Sequence, residues 1–298
     1  MKQIVFLLAA CSFGSSLPAQ DKLARPKITG IDHVRIFVTD LSKSRDFYRK
    51  LIGPSYREGP CDASVDSCLT VWWGTDESIE LQKVPASGAK NWVAQIAFGT
   101  NDVERMRKYL LAHGVAAGKI SEQARASQFE VLDPQGVGIS FVQRFVRQTD
   151  YITTRIERLL HAGFVVNNMA AENHFYRDLL GFRLYWRGGF RDDGLDWYEI
   201  QVPDGDYWIE YMLNIPANAD HQELGVQNHF SLGVADIHAA ADELRKSGLP
   251  KFDGPEIGRD GKWALDAYDP DGTRVELMEF APTQKPCCHP YTAPHPQP

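Results

Sequence analysis

A spacing repeats along this chain. In two places a histidine is followed 14 positions later by Phe-Tyr: His33 to Phe47-Tyr48, and His161 to Phe175-Tyr176. Both copies then run into Leu-x-Gly, at Leu51-Ile52-Gly53 and Leu179-Leu180-Gly181. Apolar residues alternate around each histidine and then recur at helical spacing, so each copy reads as a strand followed by a helix with a glycine stop. Two more copies open at Gln95 and His229, with helices ending near Gly114 and Gly248. From His33 to Asp40, Gln95 to Asp102 and His229 to Asp236 the step is seven residues each time. Asp133-Pro134-Gln135-Gly136 and Asp269-Pro270-Asp271-Gly272 supply turns into closing strands at 137–142 and 273–278. The spacing predicts an α+β chain of four βαβββ modules, because internal repeats of this length are single supersecondary units.

The rest of the sequence bounds this frame. A chain of 298 residues, 43% apolar and 24% charged, is long enough for two soluble domains. With a net charge of −7 and no Lys/Arg run, nucleic acid is not an expected partner. Lys2, the apolar run Ile4 to Ala10 and the small residues after it read as an export signal over 1–19, too short to span a membrane. Cleavage after Ala19 gives a free periplasmic or secreted protein. Leu8-Ala9-Ala10-Cys11 also resembles a lipoprotein box, which would anchor Cys11 to lipid. No second apolar run of spanning length follows. In an oxidising compartment Cys61 and Cys68 are expected to pair, with two free thiols as the alternative. The tail 283–298, with Cys287-Cys288, His289 and His295, is expected to be a poorly ordered terminus, or else a copper or zinc binder.

These repeats resemble the vicinal oxygen chelate superfamily, which includes glyoxalase I, extradiol dioxygenases and bleomycin-resistance proteins. The resemblance covers about residues 28 to 282. It implies modules paired into two open barrels, an N-terminal domain at 28–145 and a C-terminal domain at 158–282. It also implies one divalent metal, held in glyoxalase I by ligands from the first and last strands of each unit. Carried onto this chain, those positions are His161, Glu210, His229 and Glu276, at separations of 49, 19 and 47.

Strand alternation tests the set independently. Ala162, Phe164 and Val166 are apolar at every second place, as are Phe230, Leu232 and Val234, which leaves His161 and His229 on the opposite faces. Glu210 lies opposite Ile209 and Tyr211, and Glu276 opposite Val275 and Leu277. Two neutral imidazoles and two carboxylates cancel a divalent charge and suit Zn²⁺, Ni²⁺, Co²⁺, Mn²⁺ or Fe²⁺. The N-terminal equivalents are His33, Glu80, Gln95 and Ser140. That half is therefore expected to hold no metal, or to hold it weakly, and to be structural or to shape a second pocket with Trp72 and Trp73.

The resemblance implies a lyase or isomerase acting on a small oxygen-chelating substrate through an enediolate-type intermediate. Glu276 is the first candidate for the base and Glu210 the second. An alternative is an Fe²⁺ ring-cleaving dioxygenase with the triad His161, His229 and Glu276. Against that stand Asp266 where its signature places a Tyr, and Ile257, Gly258 and Arg259 where it places a His. Glyoxalase I itself is imperfectly matched at Asn228 and Ser231, and its glutathione-adduct substrate is cytoplasmic. The third reading is a non-enzymatic binding protein with an aromatic pocket drawn from Trp186, Trp197, Tyr198 and Trp208.

Overall fold

The computed structural model describes residues 23–61, 67–73, 76–89, 92–123, 125–145, 155–249 and 251–298. Residues 1–19, which the sequence suggests as an export signal, lie outside them with Cys11 and Ala19. Among the described residues no helix is long and apolar enough to cross a membrane.

Four modules are present. The first runs β1 (Ile28–Val38), α1 (Leu41–Ile52), β2 (Arg57–Pro60), β3 (Cys68–Trp72) and β4 (Ser78–Lys83). Next come β5 (Val93–Thr100), α2 (Val103–Ala112), β6 (Ser121–Glu122), β7 (Ala126–Leu132) and β8 (Gly138–Arg144). The third holds β9 (Arg158–Val165), α3 (Met169–Asn173), β10 (Arg183–Gly188), β11 (Trp197–Gln201) and β12 (Trp208–Met212). A short α4 (His221–Gln227) leads into β13 (His229–Gly233), α5 (Ile237–Ser247), β14 (Phe252–Ile257), β15 (Trp263–Tyr268) and β16 (Arg274–Met278).

The strands form two eight-stranded sheets of identical plan, β2-β3-β4-β1-β5-β8-β7-β6 and β10-β11-β12-β9-β13-β16-β15-β14. The tandem α+β architecture expected from the repeat is therefore the observed one. In each sheet the two module-opening strands pair antiparallel at the centre, and each is parallel to the last strand of its own module.

Local chemistry accounts for the element ends. Asp40, Asp102, Asn168 and Asp236 cap their helices by accepting backbone N–H groups. Gly248 ends α5 in the left-handed region, at φ 70. The helix after β9 departs from a regular one: it widens into a π-type turn over His174–Leu179. In both Asp-Pro turns the aspartate side chain accepts two backbone N–H groups, Gln135 and Val137 on Asp133 and Asp271 and Thr273 on Asp269. One face of each strand packs under the helices. Val34, Ile36, Phe164, Phe230, Leu232, Val275 and Leu277 are all buried there, each worth about 1.5–3 kcal/mol. The opposite faces of each sheet line a cup.

The two halves interlock reciprocally. Tyr176 of the third module donates to Asp133 of the second at 3.2 Å, and Tyr48 of the first donates to Asp269 of the fourth at 3.5 Å. Asn167 N–H donates to Gln135, and Thr39 N–H to Asp271. Glu77 also crosses the boundary, accepting from Tyr207 and the Leu159 N–H. Cys61 and Cys68 form a disulfide.

The tail corrects the sequence expectation. Residues 283–298 do not hang free; they cross from one edge of the second sheet to the other. Thr283 and Cys287 N–H groups bond the Gly261 and Arg259 carbonyls beside β14 and β15. Trp186 Nε1 donates to the His289 carbonyl, and Thr292 N–H donates to Tyr185 O on β10. Tyr291 packs with Tyr185, Trp208, Met278 and Phe280 inside the cup. An aromatic strap with satisfied backbone groups has reason to be ordered. Cys287 and Cys288 bond to each other.

Candidate metal centre

Strand register brings the expected ligands together. Glu210 of β12 pairs with Gly163 of β9, which pairs in turn with His229 of β13. One row away, Trp208, His161, Ser231, Glu276 and Asp266 follow one another across β12, β9, β13, β16 and β15. Side chains two apart on a strand share a face, so both rows look into one cup.

The polar ends converge. His161 Nε2 lies 3.0 Å from His229 Nε2, and Glu210 Oε2 is 3.1 Å from His229 Nε2 and 3.8 Å from His161 Nε2. His161, Glu210 and His229, all buried, offer donor atoms within 4.8 Å of one another. Glu276 stands slightly apart: its Oε2 is 3.4 Å from His161 Nε2, but it is outside that mutually close trio. Gly163 makes the arrangement possible. A Cβ there would lie 2.1 Å from His229 Cε1, so any larger residue would evict the imidazole.

The electrostatics fit a cation. Burial lowers the pKa of both imidazoles, with positive Arg274 adding to it, and His161 goes well below its ordinary value. They are neutral, as ligands must be. His229 Nδ1 is 3.0 Å from the Gln227 carbonyl, to which it donates, so its Nε2 keeps a lone pair for a metal. Glu276 is pushed well above the carboxylate range by burial, with Asp266, Glu210 and Asp260 adding to it. Glu199, directly across from Glu210, is raised well above the range by burial, and among the described residues one of its oxygens has no hydrogen-bond partner. Around the histidines Glu199, Glu210, Asp260, Asp266 and Glu276 thus outnumber Arg274 and Lys262. Buried acid in excess, facing two neutral nitrogens, suits a borderline divalent ion.

The first cup shows the contrast. Arg35 takes the position equivalent to Gly163, pairing with Glu80 and Gln95 on either side. Its Nε donates to Glu80 at 2.7 Å, and its guanidinium lies 3.7 Å from Glu130. Burial pulls His33 down, but Glu80 and Asp32 outweigh it and raise its pKa. Arg144 pairs with Asp32 at 2.7 Å. Ser140 donates to the Phe129 carbonyl. Protein cations, Arg35 and Arg144, already pair with its acids Glu80 and Asp32. Cys61 and Cys68 lie near Glu80, but their sulfurs are spent on each other. Trp72 lines the first cup's cavity of about 330 Å³, whereas Trp73 is buried in the core.

The second cup encloses a cavity of about 280 Å³ beside His161, Glu210 and Glu276. Trp186, Phe190 and Trp197 form one wall, whereas Tyr198 belongs to the core. Sequence reasoning missed Glu199 and Lys262. Glu199 lies between core-facing Tyr198 and Ile200, so alternation alone would have placed it in the cup.

Tandem βαβββ cups, one with a converging His-His-Glu set, define a class, and known proteins match it. The family model described as Glyoxalase/Bleomycin resistance protein/Dioxygenase superfamily matches residues 30–141 and 158–277. The chain belongs to that superfamily. It is 28% identical over 130 residues to a lactoylglutathione lyase of Haemophilus influenzae, covering 43% of this chain and 96% of the relative. A probable chloroplastic lactoylglutathione lyase of Arabidopsis thaliana is 27% identical over 137 residues, 44% of this chain and 38% of its own length. Among solved structures, an extradiol ring-cleaving dioxygenase from B. fuscum matches with TM-score 0.64 at 20% identity, over 85% of this chain and 72% of that one. The 2,3-dioxygenase LapB from Pseudomonas sp. KL28 matches with TM-score 0.65 at 17% identity, over 92% and 96%. At these identities the structural matches speak for the fold.

Proposed function

We propose that the chain is an exported metal-dependent lyase or isomerase, with one divalent ion held in the second cup by His161, Glu210, His229 and Glu276. The observation that carries this reading is the contrast between the cups: Arg35 neutralises the first, while the second leaves buried carboxylates facing two neutral imidazole nitrogens. A divalent ion bound there supplies Lewis acidity to a chelating carbonyl substrate. Glu276, which lines the cavity just outside the mutually close trio, takes the proton from the carbon beside that carbonyl. Glu210 is the second candidate, and Trp186 and Trp197 screen that side of the cavity from water. The 28% identity to a lactoylglutathione lyase supports the reaction class. The export signal at 1–19 supports a substrate other than a cytoplasmic glutathione adduct.

The test is elemental analysis of the purified protein together with a panel of 2-oxoaldehydes and catechols. Stoichiometric zinc, nickel or cobalt with proton exchange beside a carbonyl is the expected outcome. Absence of stoichiometric metal would sink the proposal. An Fe²⁺ dioxygenase is the second reading, favoured by one specific observation: among the described residues the converging His-His-Glu set lies in the second of two cups on a dioxygenase-like fold. Iron content with oxygen uptake on catechols would select it. Mass measurement of the mature N-terminus tests export and decides between cleavage after Ala19 and lipid on Cys11.

A further inference from the structure

Lys262 buries its ammonium among aromatic rings. Its side chain is 0% exposed, and among the described residues its Nζ has no hydrogen-bond partner. Asp260 Oδ2 is 3.9 Å away. Three aromatic rings surround the ammonium: Trp208 at 4.2 Å, Tyr185 at 5.1 Å and Tyr291 at 5.3 Å from ring centroid to Nζ. The rings come from β12, β10 and the C-terminal strap. Tyr291 OH donates to Asp260, which ties the strap to the turn carrying the lysine, and Gly258 N–H bonds the Lys262 carbonyl at 2.9 Å across that turn. A buried ammonium persists only where something replaces water, and here the electron-rich ring faces do so.

Trp208 also packs on His161, with ring centroids 4.8 Å apart. A metal-binding histidine is ordinarily oriented by a hydrogen bond from its second nitrogen. His229 has such a bond, to Gln227. His161 does not: among the described residues its Nδ1 finds no partner, and Trp208 Nε1 finds none either. The hydrogen bond of His161 is made at Nε2, to His229, so the far side of its ring rests on Trp208, which packs in turn against Tyr185 and the Lys262 ammonium.

We propose that Lys262 is a positioning residue for the metal centre: through Trp208 it fixes the angle at which His161 presents Nε2. This rests on the reading of His161 as a ligand. It assigns Lys262 a task that its place outside the cavity lining would not suggest, since it cannot touch a substrate there. Lys262 and the Tyr291 strap thereby become parts of the metal centre.

The experiment titrates Co²⁺ into metal-free full-length wild type, Lys262→Met, Lys262→Arg and Tyr291→Leu, recording affinity and the visible ligand-field spectrum. Lys262→Met is expected to bind Co²⁺ about ten- to a hundredfold more weakly, with a shifted spectrum. Its metal-free melting temperature is recorded alongside and should fall, because buried Asp260 loses the cation 3.9 Å away. Lys262→Arg, which keeps the charge on the rings, should recover affinity and spectrum. Tyr291→Leu, outside both sheets, removes one wall of the cage and gives the same reading should Lys262→Met not fold. Wild type that binds Co²⁺ beside a Lys262→Met, or its Tyr291→Leu substitute, with unchanged affinity and spectrum overturns the inference while leaving the metal site standing. Wild type that binds no Co²⁺ overturns both.

Discussion

At the scale of single residues, Gly163 is where the proposed centre can be broken without touching a ligand. Its missing Cβ leaves the space that the His229 ring occupies. Gly163→Ala should leave a folded protein whose zinc or cobalt affinity is reduced at least about a hundredfold, since one ligand is displaced; calorimetric titration measures this. Unchanged affinity would show that His229 is not a ligand. His229→Ala and Glu276→Ala should each abolish metal retention in elemental analysis, whereas His33→Ala should leave it at one equivalent. Equal loss in all three would mean that the first cup also holds metal. Glu276→Gln keeps the shape of the side chain and removes its basicity. It should lower turnover about 10²–10⁴-fold, the usual worth of a general base.

At the scale of elements, the two sheets are the same rows of positions filled with different chemistry. His33, Arg35, Glu80, Gln95 and Ser140 stand where His161, Gly163, Glu210, His229 and Glu276 stand in the other half. If Arg35 is what substitutes for a metal, the combined change Arg35→Gly, Gln95→His and Ser140→Glu should raise metal content from one to two equivalents per chain. Arg35→Gly alone should instead destabilise by about 3–5 kcal/mol, because Glu80 keeps its buried charge and loses its partner. Chemical denaturation checks the second figure.

The rows were legible in the sequence because alternation and the seven-residue steps fix strand parity, and parity fixes which side chains meet. Arg35 shows where that reasoning stops. It has the parity of a cup residue, but nothing in the local pattern says that its guanidinium reaches Glu80 and turns towards Glu130. The strap was illegible for a similar reason. Tyr291 and Cys287-Cys288 have no periodicity, and what orders them is contact with Tyr185, Trp186 and Arg259, which lie 28 or more positions earlier.

At the scale of the whole molecule, the halves are joined through groups that titrate. Burial at the boundary pushes Glu77 up to about 7, even though it accepts from Tyr207 and Leu159. A carboxyl whose pKa is raised on folding contributes stability that is fully present below its unfolded value near 4.5 and is lost as pH rises through about 7. The shift corresponds to roughly 3 kcal/mol. Glu77→Gln should therefore flatten the decline in unfolding free energy between pH 5 and pH 7, measured by urea denaturation. Asp269, also pushed up to about 7, should preserve part of the slope. An unaltered slope would locate the pH sensitivity away from Glu77.

The reciprocal contacts at that boundary have a historical consequence. Tyr48 reaches the Asp269 turn as Tyr176 reaches the Asp133 turn, so each half grips the other with the same pair of groups. That is the contact pattern of two identical chains around a dyad, which a doubled gene would inherit ready-made. Two cups built on one plan need not balance their buried acid in the same way, and in the first an arginine on the central strand does so.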